Sequence, residues 1–559
     1  MKIKIICLLS LLFFIACKEE SKNASKLKEH IPYVDRFENY DDAAEIAEQQ
    51  DHEKDRMRFK LLNSKVLDRA SVWEPLMSDL ASFSEEGHNR LKPLVLEQDI
   101  PTIQEHIKEG KLSYEQLTLF YLYRINKYES DPATSLYAII AMNPEAVAQA
   151  RAMDKKGIDP SKPLFGMPIL LKDNIGTSEM PTTAGALALK DNQTKDAFIV
   201  ERLKDAGAII LGKVNLSEWA YYFCSGCPLG YSAIGGQSLN PYGRKIFETG
   251  GSSAASGTSI AANYAVAAIG TETAGSILSP SSQNSVVGLK PTIGLLSRSG
   301  IVPISSTLDT PGPMTKSVVD NAIVLEALLG FDKNDTKSIK LDSYGPYVPD
   351  RSGANLKGKR FGAFKNLIES DSIYRMTMQK LKDEGAEIIQ FEPPQASLDG
   401  FLTLLNIDMK HDLPAYLETY ASDNIVVKTV ADVVNFNKQD TLVRAPYGQA
   451  LFEGIVADST TVEELQEIKK KLMANGKTIF DEVMKENDLD AVLSINNYHA
   501  AFAAVAEYPC LTVPMGYKET GEPISLTFIG KPLTEKELYE LGYAFEQATK
   551  IRQIPREYQ

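Results

Sequence analysis

Between Gly250 and Ser285, glycine and serine supply 14 of 36 residues and alanine eight more. A flexible linker would share that composition, but Ile260, Val266, Ile269 and Ile277 are interspersed and Val286-Val-Gly-Leu-Lys-Pro291 follows, so the segment must pack. Small residues let main-chain N–H groups come close to a ligand. The run Thr273-Ala274-Gly275-Ser276 offers several such donors to one oxyanion, which is what acyl-transfer chemistry needs. A serine hydroxyl is a weak nucleophile and requires an adjacent base. Histidine is the usual one, yet His30, His52, His88, His106, His411 and His499 all lie outside any motif with a Gly-flanked serine, and no Gly-x-Ser-x-Gly elbow occurs. Lysine serves instead if burial keeps it neutral. At an unperturbed pKa of about 10.4 only ~0.04 % is neutral at pH 7, a deficit of roughly 4.6 kcal/mol.

Two other motifs carry less. Gly207-Ala-Ile-Ile-Leu-Gly212-Lys213-Val214 nearly spells a phosphate-binding loop, but Val214 replaces the Ser/Thr that would hold Mg²⁺ and the apolar interior reads as a strand. Cys224-Ser-Gly-Cys227 has the spacing of a redox pair or half a zinc site, and without a second pair or a nearby His it is expected to consist of ordinary loop residues. With Cys7 and Cys17 set aside, Cys224, Cys227 and Cys510 are odd in number, so no disulfide framework is implied. No ligand cluster of recognisable spacing appears, and neither a metal nor an organic cofactor is expected.

Gly250-Gly-Ser-Ser253, Gly270-Thr-Glu-Thr-Ala-Gly-Ser-Ile277 and Gly288-Leu-Lys-Pro-Thr292 together resemble the core of the amidase signature family, and Gly166-Met-Pro-Ile-Leu-Leu-Lys172-Asp-Asn-Ile175 is similar to its lysine motif. The resemblance runs from about residue 99 to the C-terminus, through Gly236–Pro241, Asp309–Met314 and Tyr508–Pro514. It implies a Ser–cis-Ser–Lys triad, with Lys172 as base, Ser252 as relay and Ser276 as nucleophile, and the backbone N–H groups of Thr273, Ala274, Gly275 and Ser276 as oxyanion donors. Lys172 follows an apolar run, in keeping with the burial it needs. Glu272 stands where many members have Asp and Leu278 where many have Arg, which bears on substrate class. Within the family the chain is most similar to the peptide-amidase branch, through Gly270–Thr273, Val286–Gly294 and Lys410–Tyr416, which implies peptide C-terminal amides or small amides as substrates. Other readings are a fatty-acid amide hydrolase, a glutamyl-tRNA amidotransferase A-like subunit and, from another class, a lipoprotein that binds a nutrient without turnover.

Positioning such residues is the work of a large α/β domain. Short apolar runs at 168–171, 208–211, 286–287, 360–363, 387–389, 491–493 and 510–513 alternate with helical segments, which predicts a single domain over 99–559 with a mixed, twisted central sheet covered by helices. Ser113-Tyr-Glu-Gln116 is a capping box opening a helix. Residues 331–485 read as a mostly helical, cap-like insertion, and 17–98 as a tether followed by helices. At the start, Lys2 and Lys4 precede an apolar run, Ile5–Ile15, too short to span a bilayer. Ala16-Cys17 then resembles a lipoprotein cleavage box, so residues 1–16 are expected to be a signal peptide and Cys17 a lipidated first residue that anchors the protein to the cell envelope. A plain secretory signal is the other reading. The net charge of −14, with no Lys/Arg-rich block, argues against nucleic acid as a partner.

Overall fold

A computed structural model describes residues 40–559. Residues 1–16, expected to be a signal peptide, and Cys17 lie outside the described residues.

An eleven-stranded mixed sheet runs through the molecule. In chain order its strands are β1 (Ile139–Met142), β2 (Pro168–Lys172), β3 (Ile209–Val214), β6 (Ala267–Glu272), β7 (Val287–Lys290), β8 (Thr310–Thr315), β9 (Arg360–Phe364), β10 (Glu387–Phe391), β11 (Ala491–Ile495), β12 (Cys510–Tyr517) and β13 (Pro523–Ile529). A separate two-stranded ribbon, β4 (Tyr231–Ser232) and β5 (Gly236–Gln237), completes the set. The sheet order is β1-β3-β2-β6-β8-β7-β12-β13-β11-β9-β10. Every residue of β2, β3, β6, β7, β8, β11 and β13 is buried, as expected where helices cover both faces. All seven apolar runs read from the sequence become strands. The near phosphate loop is β3, buried throughout.

The site depends on the middle of this sheet. β2 and β6 pair in parallel, with Leu171 opposite Ile269, so Lys172 and the Thr271-Glu272 end of β6 reach the same sheet edge. That edge, beyond the carboxyl ends of parallel strands, is where open α/β sheets place ligands. β8 lies antiparallel on the other side of β6, Glu272 opposite Thr310, which delivers Asp309 to the same place.

Two expectations change. The helical segments before residue 99 are present, Arg69–Trp73, Met77–Leu80 and Glu85–Val95 among them. They share the core of the domain expected to begin at residue 99, for Met57, Phe59, Trp73, Leu80, Leu91 and Val95 are buried in it. The cap is narrower than 331–485, because β9 and β10 belong to the central sheet. It consists of helices from Phe401–Thr419 to Val462–Glu486, and its apolar residues, such as Leu404, Phe452 and Leu472, build a second core.

Candidate active site

Lys172 ends β2 with no solvent exposure. Its ammonium nitrogen lies 2.7 Å from Ser252 Oγ, 2.8 Å from Thr271 Oγ1 and 3.1 Å from the Thr271 carbonyl. Burial is the main influence on this group and lowers its pKa to about 7, against a smaller upward pull from the carboxylates of Asp309 and Glu272. Asn174 Nδ2 donates to Thr271 Oγ1 at 3.0 Å, so that oxygen is held from two sides.

Ser252 is buried and follows a cis peptide bond from Gly251. Its carbonyl accepts from Ser217 N–H at 3.0 Å, and the fully buried helix Ala254–Ala261 begins two residues on. Six of that helix's eight residues are alanine, glycine or serine, and room is short: a Cβ on Gly257 would stand 2.8 Å from the Pro280 carbonyl.

Ser276 sits on the turn after β6 and is half-exposed, unlike Lys172 and Ser252. Its carbonyl accepts from Ser253 N–H at 3.1 Å, which ties the two serine segments together. Among the described residues its hydroxyl has no hydrogen-bond partner. The turn is clamped by Glu272, whose buried carboxylate accepts from the N–H groups of Gly275 (2.6 Å), Ile277 (2.7 Å) and Leu278 (3.0 Å). Gly275 therefore does not fit the oxyanion role expected of it, since its N–H is spent inside the turn; the amides of Thr273, Ala274 and Ser276 stay uncommitted among the described residues. Gly275 has φ +100°, a conformation that favours glycine. Thr273 Oγ1 donates to Asp309 at 2.6 Å, fixing the turn's first residue.

Glu272 and Leu278 were expected to bear on substrate class. The structure gives them a different part: Glu272 holds the nucleophile turn and Leu278 is wholly buried. Thr271, Asn174 and Asp309 had no role in the sequence reading although they stand in or beside its motifs; strand register is what brings them to Lys172.

Cys224 and Cys227 form a disulfide, a correction to the loop residues expected, and so leave no thiolate for zinc. The intervening turn brings their Cα atoms to 5.9 Å, within bridging range. Two of the histidines have partners of their own. His88 stacks on Phe120, and His499 stacks on Phe364 and pairs with Ser494 at 2.6 Å. The inner cleft beside the turn is lined by Asn174, Thr271, Thr273, Arg298, Val302 and Asp309 among others.

A buried, neutralisable lysine bonded to a serine, next to a turn carrying a second serine and free amides, is equipment for acyl transfer. The comparisons agree. The family described as Amidase matches residues 116–539, and the chain belongs to that family. It is similar to an amidase family protein of Bacillus anthracis, 37 % identical with a TM-score of 0.84 over 89 % of this chain and all of that one. The native peptide amidase of Stenotrophomonas maltophilia is 35 % identical with a TM-score of 0.77, over 82 % of this chain and 99 % of that one. An Arabidopsis thaliana protein described as a probable amidase is 35 % identical over 480 residues, 83 % of this chain and 92 % of its own. The protein is a hydrolase of amide carbon–nitrogen bonds built on one large α/β domain.

Proposed function

We propose that Ser276 is the nucleophile, Ser252 the relay and Lys172 the base of an amidase that cleaves peptide C-terminal amides or small amides. The observation that carries this is the 2.7 Å hydrogen bond between Lys172 Nζ and Ser252 Oγ, both side chains fully buried. A neutral amine has one lone pair and two hydrogens. Thr271 O and Thr271 Oγ1 take the hydrogens, and the lone pair faces the Ser252 hydroxyl.

In the first step Ser276 Oγ forms a bond to the amide carbon as its proton passes to Ser252 and that of Ser252 passes to Lys172. The carbonyl oxygen takes up negative charge against the amides of Thr273, Ala274 and Ser276, where each well-placed donor contributes about 3 kcal/mol. The C–N bond then breaks, the relay returns the proton to the leaving nitrogen, and the amine departs. Water attacks the acyl-enzyme by the same relay and releases the acid with Ser276 restored.

Similarity to a peptide amidase supports the substrate class. The Ala16-Cys17 box supports lipid anchorage at Cys17 in the cell envelope, and the Cys224–Cys227 disulfide suits an oxidising compartment. The test is mass spectrometry of the protein trapped with a fluorophosphonate, with ammonia release from peptide amides measured alongside. The adduct is expected on Ser276 and to vanish in Ser276→Ala; an adduct on Ser252 alone, or a Ser276→Ala protein with full activity, overturns the roles. The native protein's N-terminus, read in the same experiment, is expected at an acylated Cys17, and an unmodified N-terminus refutes the anchor.

A further inference from the structure

The inner cleft opens outward, through Arg298, Ile301 and Asp309, into a groove between the 298–309 segment and the cap helix Phe401–Thr419. Among the described residues Arg298 is the only basic one lining it, and three of its five N–H donors are engaged. Nε and Nη2 bond to Asp335 and Nη1 to the Ser306 carbonyl, so its charge is already paired with a carboxylate and an anionic substrate group must compete with Asp335 for it.

Two carboxylates are placed differently. Asp309 accepts from Thr273 Oγ1, Ile304 N–H and Ser305 N–H, and Asp412 accepts from Ser306 N–H at 2.6 Å. Among the described residues neither is in an ion pair, whereas neighbouring Asp408 is paired with Lys469 at 2.8 Å. Burial, reinforced by Asp408 and Asp309, raises the Asp412 pKa to about 6, which leaves it mostly ionised at neutral pH. A separate observation at the inner end also calls for a ligand. Asn174 is 2 % exposed, and its Oδ1 is a buried acceptor without a partner. Its orientation is settled by Nδ2, which donates to Thr271 Oγ1 and to the Val302 carbonyl.

We propose that this groove selects amides whose acyl part carries a positive charge, an ammonium or guanidinium, with Asp412 and Asp309 as counter-charges and Asn174 Oδ1 accepting an N–H of the amide held at Ser276. The proposal rests on the amidase reading of the same site. When the leaving group is ammonia, all the rest of the substrate is acyl part, so a charge it carries must lie along the cleft or the groove. A pairing this close to solvent is worth about 1 kcal/mol, or about fivefold in specificity.

The experiment compares kcat/KM for ammonia release from N-acetyl amides of lysine, norleucine and glutamate, and from dipeptide amides with the same residues one place further from the amide. Lysine is expected to exceed norleucine about fivefold, with glutamate lowest. Asp412→Asn should bring the lysine-to-norleucine ratio toward one, Asp412→Glu should keep it, and Asp412→Lys should turn the preference toward glutamate. Molar salt should shrink the ratio in the wild type, since exposed charges are screened. Calorimetric binding of the same amides to the Ser276→Ala protein reads the preference without turnover. A wild-type ratio of one, or an unchanged ratio in Asp412→Asn protein of normal melting temperature, overturns the proposal. If none of the amides is hydrolysed, the amidase reading fails, and the binding arm still decides whether the groove prefers a cation.

Discussion

Burial strips Lys172 of water and brings its pKa to about 7, so at neutral pH about half of the protein holds it as a free amine instead of a few molecules in ten thousand. The rate follows from that. Because the deprotonated form is active, kcat/KM is expected to climb as pH rises through about 7 and then level off, and the apparent value belongs to the coupled Lys172, Ser252 and Ser276 unit. Lys172→Ala should lose most activity, and Lys172→Arg should not restore it because a guanidinium stays charged. A histidine base would instead make His499→Ala or His411→Ala equally damaging. His499 is partly buried, with its pKa lowered to about 4 by desolvation, and contacts Phe364 and Ser494 rather than the triad, so its loss should leave the pH profile unmoved. The same lowered pKa costs stability. Between pH ~7 and ~10.4 the unfolded lysine holds a proton that the folded one has released, so the fold loses stability as pH falls through that window, about 4 kcal/mol by pH 7. Lys172→Met should therefore melt higher than the wild type at pH 7, with the gain fading toward pH 10; a gain independent of pH would contradict the lowered pKa. All three proposed catalytic residues were legible from motifs, but the partners of Lys172 were not. Thr271 is ninety-nine residues away in the chain and meets Lys172 only through the β2–β6 register.

At the scale of elements, the nucleophile turn hangs on one carboxylate. Replacing Glu272 by Gln puts an amide NH₂ where an oxygen now accepts from main-chain N–H, so the turn must shift. Glu272→Gln is expected to cut kcat about a hundredfold with a smaller change in KM, since the free amides no longer meet the oxyanion; steady-state kinetics at saturating peptide amide checks this. Neighbouring β8, Thr-Pro-Gly-Pro-Met-Thr, explains why sequence reasoning found seven strands and missed this one. Two prolines and a glycine argue against a central strand, because proline cannot donate to a ladder. The position is tolerable because β7 pairs with β8 only at Met314 and Thr315, past both prolines, and because Gly312 admits the neighbouring backbone. A Cβ there would lie 2.1 Å from the Leu289 carbonyl, so Gly312→Ala should destabilise by several kcal/mol and yield little soluble protein. The cap boundary was misread for a related reason. The runs that become β9 and β10 are separated from the next strand by a long helical stretch, and β10 is a half-exposed edge strand, so the sequence did not show that they join the central sheet rather than the cap.

Among the described residues there are two large cores and a small third cluster, and the disulfide belongs to the second of the large ones. Cys224 and Cys227 pack with Trp219, Phe223 and the cap's Phe452, and the loop is tied to the cap by Leu451 N–H on the Phe223 carbonyl (3.2 Å) and Tyr222 OH on Asn406 (2.6 Å). Reduction should loosen this unit first. Hydrogen exchange is expected to quicken in Phe401–Thr419 and Ala450–Ala457 on treatment with a dithiol, while β2 and β6 stay protected, and uniform quickening would show a single cooperative unit. The sheet order has a further consequence during synthesis. β7 lies in mid-sheet between β8, which follows it closely in the chain, and β12, which begins at Cys510. A nascent chain of 330 residues already holds Lys172, Ser252 and Ser276, yet presents the flank of β7 as an unpaired ladder until the last tenth of the protein has been made. Bare edges of that kind recruit other chains. A prematurely terminated product would thus be chemically complete at its reactive serine and lysine, and yet would leave the ribosome as a seed for aggregation.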